Sequence, residues 1–110
     1  MEVKAISKYV RMSDKKIRDM TRIIVGRNAR EAVQLLKFIP RKSARFVEKT
    51  LSSAMANALC KGIRAEKLRV KEASAEQGTI FRRFIPVSRG SAHPIRKRTS
   101  HVKIILTDQE

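Results

Sequence analysis

An α+β domain with a protruding arm is the fold this sequence predicts, and three observations predict it. Strand-like segments stand near the two ends of the chain, at 2–10 and 101–107, with a third at 67–77. Between the first and the third, three segments carry apolar residues at helical spacing. The 110 residues, 42% of them hydrophobic, suffice for one core and leave little room for a second.

The elements follow in order. Residues 2–10, EVKAISKYV, alternate imperfectly and contain Val, Ile and Tyr, which favours a short strand. Ser13 offers an N-cap and Asp14 suits the first turn of the helix it opens. Ile17, Met20 and Ile24 then fall on one face, Lys15, Arg18 and Arg22 on the opposite one, and Gly26 is the stop. Asn28 with Glu31 resembles a capping box and opens a short helix carrying Ala32, Leu35, Leu36 and Ile39, which Pro40 ends. A third helix, about 41–61, has the clearest stripe: Ala44, Val47, Leu51, Ala54, Met55 and Ala58, closed by Gly62. That stripe reads as a core face, and the small residues from Ser52 to Ala58 let a neighbour approach closely. Lys42, Arg45 and Lys49 project from its other side. Cys60, near its end, reads as a small buried or half-buried hydrophobe.

The strand at 67–77 is interrupted by Gly78, and 78–100 joins it to the strand at 101–107, where Val102, Ile104 and Leu106 share one face. Twenty-odd residues are long for a structureless loop in a compact domain. Thr79, Ile80, Phe81, Phe84, Ile85 and Val87 favour extended backbone, while Pro86 and Pro94 exclude helix. The segment therefore reads as a hairpin arm with its tip at Gly90.

Charge points to the partner. The chain holds 26 Lys and Arg against 10 Asp and Glu, a net +16. Such a charge opposes compaction and calls for a polyanion, most often nucleic acid. Residues 78–107 carry Arg82, Arg83, Arg89, Arg96, Lys97, Arg98 and Lys103 and no carboxylate at all. A surface set in phosphate would repel any Asp or Glu. No apolar run is long enough to span a bilayer, MEVKAISKYV reads as no secretory signal, and one cysteine forms no internal disulfide.

Catalytic patterns are missing from the sequence. His93 and His101 lie in or beside the arm with nothing to bring them to Cys60, there is no zinc spacing, and no phosphate loop appears. No enzyme, metal or cofactor is expected. The run Arg96-Lys97-Arg98-Thr99-Ser100-His101 instead packs three cations, two hydroxyls and an imidazole into six residues. Arg and Lys bind phosphate, hydroxyls position a chain on phosphate or 2′-OH, and the imidazole can bond phosphate, ribose or neighbouring backbone. Without a helix-turn-helix, zinc finger or RNP1 pattern, recognition of a folded RNA by shape fits better than base readout by a standard module.

At these residues the chain resembles the bacterial large-subunit ribosomal protein L-twenty-two family, over essentially its whole length. Ile95-Arg96-Lys97-Arg98-Thr99-Ser100-His101 matches the family's closing hairpin motif, and Ser53-Ala54-Met55-Ala56-Asn57-Ala58 its long-helix signature. Ser13, Lys16, Arg18 and Gly26 match its first helix, and Arg83, Phe84, Pro86 and Arg89-Gly90 its outgoing strand and tip. The resemblance implies three helices packed on a three-stranded antiparallel sheet, with a long hairpin running through large-subunit RNA to the nascent-peptide exit tunnel. It implies a role in early assembly on the cytoplasmic ribosome, beside other ribosomal proteins, with the tip at Arg89, Gly90, Ser91 and Ala92 reaching the nascent polypeptide. Ser91 stands where many members carry Arg, and Val87-Ser88 replaces a frequent Arg-Ala, so this tip is less basic.

The expected RNA-binding set is then Lys15, Lys16, Arg18, Arg22, Lys42, Arg45 and Lys49 on the body, with Arg82, Arg83, Arg96, Lys97, Arg98, Thr99, Ser100 and His101 on the arm. Two rivals remain: a free-standing nucleic-acid chaperone without a fixed address, and a protein of anionic membrane surfaces. Absent Trp and 5% aromatics disfavour the second.

Overall fold

The computed structural model describes residues 1–86 and 92–108, with side chains outside 79–97. The elements run β1 (Glu2–Val10), α1 (Asp14–Ile24), α2 (Ala29–Phe38), α3 (Lys42–Cys60), one 3-10 turn (Ala65–Lys67), β2 (Arg69–Pro86) and β3 (Ala92–Thr107). The three strands form one antiparallel sheet in the order β1-β3-β2. The expected α+β class, three helices against three antiparallel strands, is the observed one.

The last strand lies in the middle because β3 alone is apolar enough to be covered there. Val102, Ile104 and Leu106 are fully buried and face the helices, joined by Val3 and Ala5 from β1 and Val70 from β2. The helices contribute Ile17, Met20 and Ile24, then Ala32 and Leu36, then Ala44, Val47, Leu51, Ala54 and Ala58. These residues form one cluster. Ala44, Ala54 and Ala58 of α3 sit at 0% exposure, as close packing of that helix on its neighbours requires, while Ser52, Ser53 and Ala56 of the small-residue run are exposed.

Helix ends show how local chemistry directs the chain. Ser13 stands at the N-cap of α1 but its side chain makes no capping bond. Asn28 caps α2 by accepting from the Arg30 N–H at 2.9 Å, one residue earlier than a capping box, and its amide also donates to the Glu66 carbonyl at 3.0 Å. At the end of α3, Gly62 turns with φ +81 while Ile63 N–H bonds the Ala58 carbonyl and Gly62 N–H that of Leu59. This double bond pattern satisfies two orphan carbonyls and needs a residue free to adopt positive φ. Gly26, φ +84, makes the corresponding turn after α1 and donates to the Val70 carbonyl at 2.8 Å. Val70 N–H bonds Arg27, and Ala29 N–H bonds Leu68, so the α1–α2 connection covers the open edge where β2 begins.

One end of the sheet, where β1 and β2 begin and β3 ends, is pinned by charge. The N-terminal ammonium bonds Asp108 at 2.8 Å and Lys71 bonds Glu2. Those partners hold both carboxyls below their ordinary values, in each case chiefly through the hydrogen bond.

Three expectations need correction. The strand expected to begin at 67 begins at Arg69, because residues 65–67 close a 3-10 turn. Gly78 does not end β2. The strand runs on to Pro86 and absorbs the glycine in a register shift between Gln77 and Ile80. Cys60 is exposed, because in the last turn of α3 only Ala58 faces inward.

The expected arm is the continuation of β2 and β3 past the body. Its pairs run from Ile80 opposite Arg98 to Pro86 opposite Ala92. β1 pairs with β3 only as far as Val10 opposite Ser100, so beyond that point the sheet is a two-stranded ribbon. The molecule measures 62 × 25 × 18 Å.

Candidate nucleic-acid interface

The basic faces of α1 and α3 meet because the two helices pack on the same sheet with their N-termini adjacent. Lys15, Arg18 and Arg22 line a shallow groove along α1 together with Asp19. Lys16 and Lys42, twenty-six residues apart, border one cleft with Met12, Asp19, Arg41 and Ser43. Arg41 was not among the expected residues. Nothing in its own neighbourhood marks it, and only the crossing of α1 over the start of α3 sets it beside Lys16. Lys42 also lies 5.9 Å from the centre of the Phe46 ring, a cation–π contact that holds its stem down. Lys49 is exposed further along α3.

Ion pairing sorts the cations into two groups. Arg18 bonds Asp14 at 3.0 Å and the Ala75 carbonyl at 3.3 Å, tying α1 to β2. Arg45 bonds Glu48 at 2.7 Å, and its Nη2 reaches the carbonyls of Leu36, Lys37 and Ile39 at 2.7, 3.1 and 2.8 Å. Those are orphan acceptors at the end of α2, so this guanidinium caps the preceding helix. Lys15, Lys16, Arg22, Arg41, Lys42, Lys49 and Arg98 make no ion pair among the described residues and leave their charge to solvent.

This division predicts opposite mutational results. Arg45→Met is expected to cost roughly 1–3 kcal/mol of stability, since it strips charge-assisted bonds from a helix end. Lys49→Met is expected to stay within about 0.5 kcal/mol, as surface changes without partners do. Urea denaturation of both variants checks this. Equal stabilities would remove the capping role assigned to Arg45.

At the root of the arm the motif residues divide as well. Arg98 is exposed. Thr99 and Ser100 are 2% and 0% exposed, and the Ser100 hydroxyl donates to the Met12 carbonyl at 3.0 Å. Both hydroxyls, expected to position the chain on phosphate or 2′-OH, are covered by the protein's own chain in this structure. As neighbours on a strand they point to opposite faces, Ser100 toward the chain leaving β1 and Thr99 toward Gly78 of β2. His101 is half-buried, and its Nδ1 accepts the Tyr9 N–H at 3.1 Å, the neighbouring-backbone alternative among its expected partners. The side chains of Arg82, Arg83, Arg96 and Lys97, and the tip at Arg89, Gly90, Ser91 and Ala92, lie outside the described side chains.

Among the described residues no group of three His, Cys, Asp or Glu could hold a metal ion, and no helix is long and apolar enough to cross a membrane. What the surface offers is fixed positive charge, spread over two helix faces and continued at the arm's root.

Known proteins are similar to this chain along most of its length. The family described as "Ribosomal protein L22p/L17e" matches residues 5–107. The chain is 52% identical to "Large ribosomal subunit protein uL22" of Opitutus terrae over 109 residues, covering 98% of this chain and 96% of that protein. It is 46% identical to the protein of that name from Akkermansia muciniphila, covering 100% and 99% of the two chains. It is also 46% identical to that from Deinococcus radiodurans, covering 96% and 79%. With a family match from the first strand to the end of the last and relatives aligned along nearly their full length, this chain belongs to the Ribosomal protein L22p/L17e family.

Proposed function

We propose that the protein is a structural component of the large ribosomal subunit that binds its RNA and acts early in assembly. The observation that carries this reading is the set of cations without an ion pair, from Lys15, Lys16 and Arg22 through Arg41, Lys42 and Lys49 to Arg98 at the arm's root. Phosphates neutralised by this surface would release their counterions to solution, which gives affinity without base readout. Arg18 and Arg45 contribute to that field while holding the body together. The arm threads RNA with Arg82, Arg83, Arg96 and Lys97 on backbone phosphates. Its tip, Arg89 to Ala92, stands at the nascent-peptide exit tunnel beside the growing chain. Neighbouring ribosomal proteins share this cytoplasmic site, and no chemistry beyond binding is required of any residue.

Binding to deproteinised large-subunit RNA, with unrelated RNA and duplex DNA as competitors across a salt series, tests the proposal. A preference for the ribosomal RNA on the order of a thousandfold is expected of a fixed site. A ratio near one would leave a general nucleic-acid chaperone instead. Replacing Arg96, Lys97 and Arg98 together by Ala is expected to lower the salt slope by about three, near one per lost phosphate contact. The same variant should be depleted from large subunits, and normal incorporation would count against the arm's assigned role.

A further inference from the structure

The root of the arm carries one feature that neither charge nor core packing accounts for. Tyr9 has φ +57, the sole positive value outside glycine among the described residues. A bulky residue adopts this left-handed conformation only when its surroundings impose it. Here they do. The β1–β3 register shifts between Ser7 and Val10, and the Tyr9 N–H is held by His101 Nδ1 at 3.1 Å. The bulge sets the tyrosine ring edge-to-face with the imidazole, centroids 4.9 Å apart and planes at 85°. Yet Tyr9, so fixed, is 59% exposed as a residue. A T-shaped pair covers at most one face of a ring, so an oriented aromatic face stands open.

Cations predominate around it, with the exposed Glu76 opposite His101 as a neighbouring carboxylate. Lys8, Arg11 and Arg98 are exposed on the same end of the sheet, where Val10 pairs with Ser100 and the arm departs. A rigid aromatic face rimmed by cations matches single-stranded nucleic acid, whose unstacked bases offer π-faces and whose backbone offers phosphates. An apolar protein partner would gain nothing from three flanking cations, and a duplex keeps its base faces stacked and out of reach. We propose that Tyr9 is a stacking platform for an unpaired nucleobase, with His101 as the positioning residue that fixes its ring. The proposal rests on the RNA-binding reading above and adds to it a site for one splayed base at the foot of the arm.

The sequence contains a single tyrosine, so 3-fluorotyrosine incorporated into the full-length protein reports on Tyr9 alone in fluorine NMR. The probes are an oligoadenylate RNA and inorganic polyphosphate, which has the charge without the bases. Oligoadenylate is expected to shift the resonance upfield through the ring current of the stacked base, and polyphosphate is expected not to. Tyr9→Ala should weaken oligoadenylate binding on the order of tenfold and leave polyphosphate binding unchanged, while Tyr9→Phe keeps near-native affinity for both. His101→Ala should reduce the upfield shift while its polyphosphate binding persists. Binding of both probes without a shift, or an equal loss on both for Tyr9→Ala, overturns the stacking site and leaves RNA binding standing. Failure to bind either probe would remove the RNA-binding reading itself.

Discussion

Leu51→Ala is expected to lower the unfolding free energy by about 2–5 kcal/mol, the range for deleting a fully buried leucine. Leu51 sits mid-way along α3 at 0% exposure, in the same cluster as Val47, Ala54, Val102 and Ile104. Its helix neighbours at the interface, Ala54 and Ala58, are already small and fully buried. They cannot reach into the space a leucine leaves, so collapse around the cavity is restricted and the upper part of the range applies. A domain of this size has about 5–15 kcal/mol in total, and a net charge of +16 reduces what the free protein retains. The measurement is a urea titration, in which the midpoint should fall with little change in slope. A loss under about 1 kcal/mol would show that α3 repacks, contrary to the close fit described above.

Gly78→Val is expected to be the most damaging single change at the arm's root. A Cβ at position 78 would lie 2.7 Å from the Thr99 hydroxyl, and 3.3 Å from both the Thr99 carbonyl carbon and His101 Cε1. Thr99 is only 2% exposed, so its hydroxyl has nowhere to swing. Overpacking of this kind costs typically about 1–3 kcal/mol for an added methyl, and a branched side chain adds to it. The functional effect should exceed the thermal one. The glycine lies in the register shift between Gln77 and Ile80, and such a bulge sets the direction in which a ribbon leaves its sheet. Pushing β2 and β3 apart there would re-aim the arm while every cation stays in the chain. Thermal unfolding is expected to fall by several degrees, at roughly 4–8 °C per kcal/mol for a small domain. The preference for large-subunit RNA should fall further than any body-surface lysine variant achieves. Unchanged RNA preference in a destabilised Gly78→Val protein would show that the arm finds its direction only on the RNA.

These two positions bear differently on what could be read in advance. Leu51 is legible from spacing alone, because an apolar stripe on a helix that long has one place to go. The same holds for Ile17, Met20 and Ile24, and for Val102, Ile104 and Leu106, whose periods of 3.6 and 2 reappear as buried faces. Gly78 was visible only as an interruption. That it is a point of close approach depends on Thr99, twenty-one residues away, lying across from it.

The candidate interface divides the same way. Its sign, and the location of its longest acid-free stretch, are properties of composition and follow from the chain however it folds. Which cations are free for a partner is not such a property. Arg45 looks like Lys42 and Lys49 in sequence, yet its guanidinium reaches the carbonyls that end α2, because α2 and α3 are joined by a tight turn at Pro40. Thr99 and Ser100 follow Arg98 in the chain yet both are buried, on opposite faces of β3, Thr99 against Gly78 and Ser100 against the Met12 carbonyl. Tyr9 had no reading beyond a strand residue until a bulge turned its backbone and His101, ninety-two residues later, took its N–H.

The sequence by itself determined the order of elements, their apolar faces, the basic character of the molecule and the family it belongs to, all of which are local or additive. Only the tertiary structure decided which side chains meet. A hydrogen bond or an ion pair depends on the three-dimensional separation of its partners, and the positions of residues as far apart as Tyr9 and His101 are set by how the whole sheet pairs.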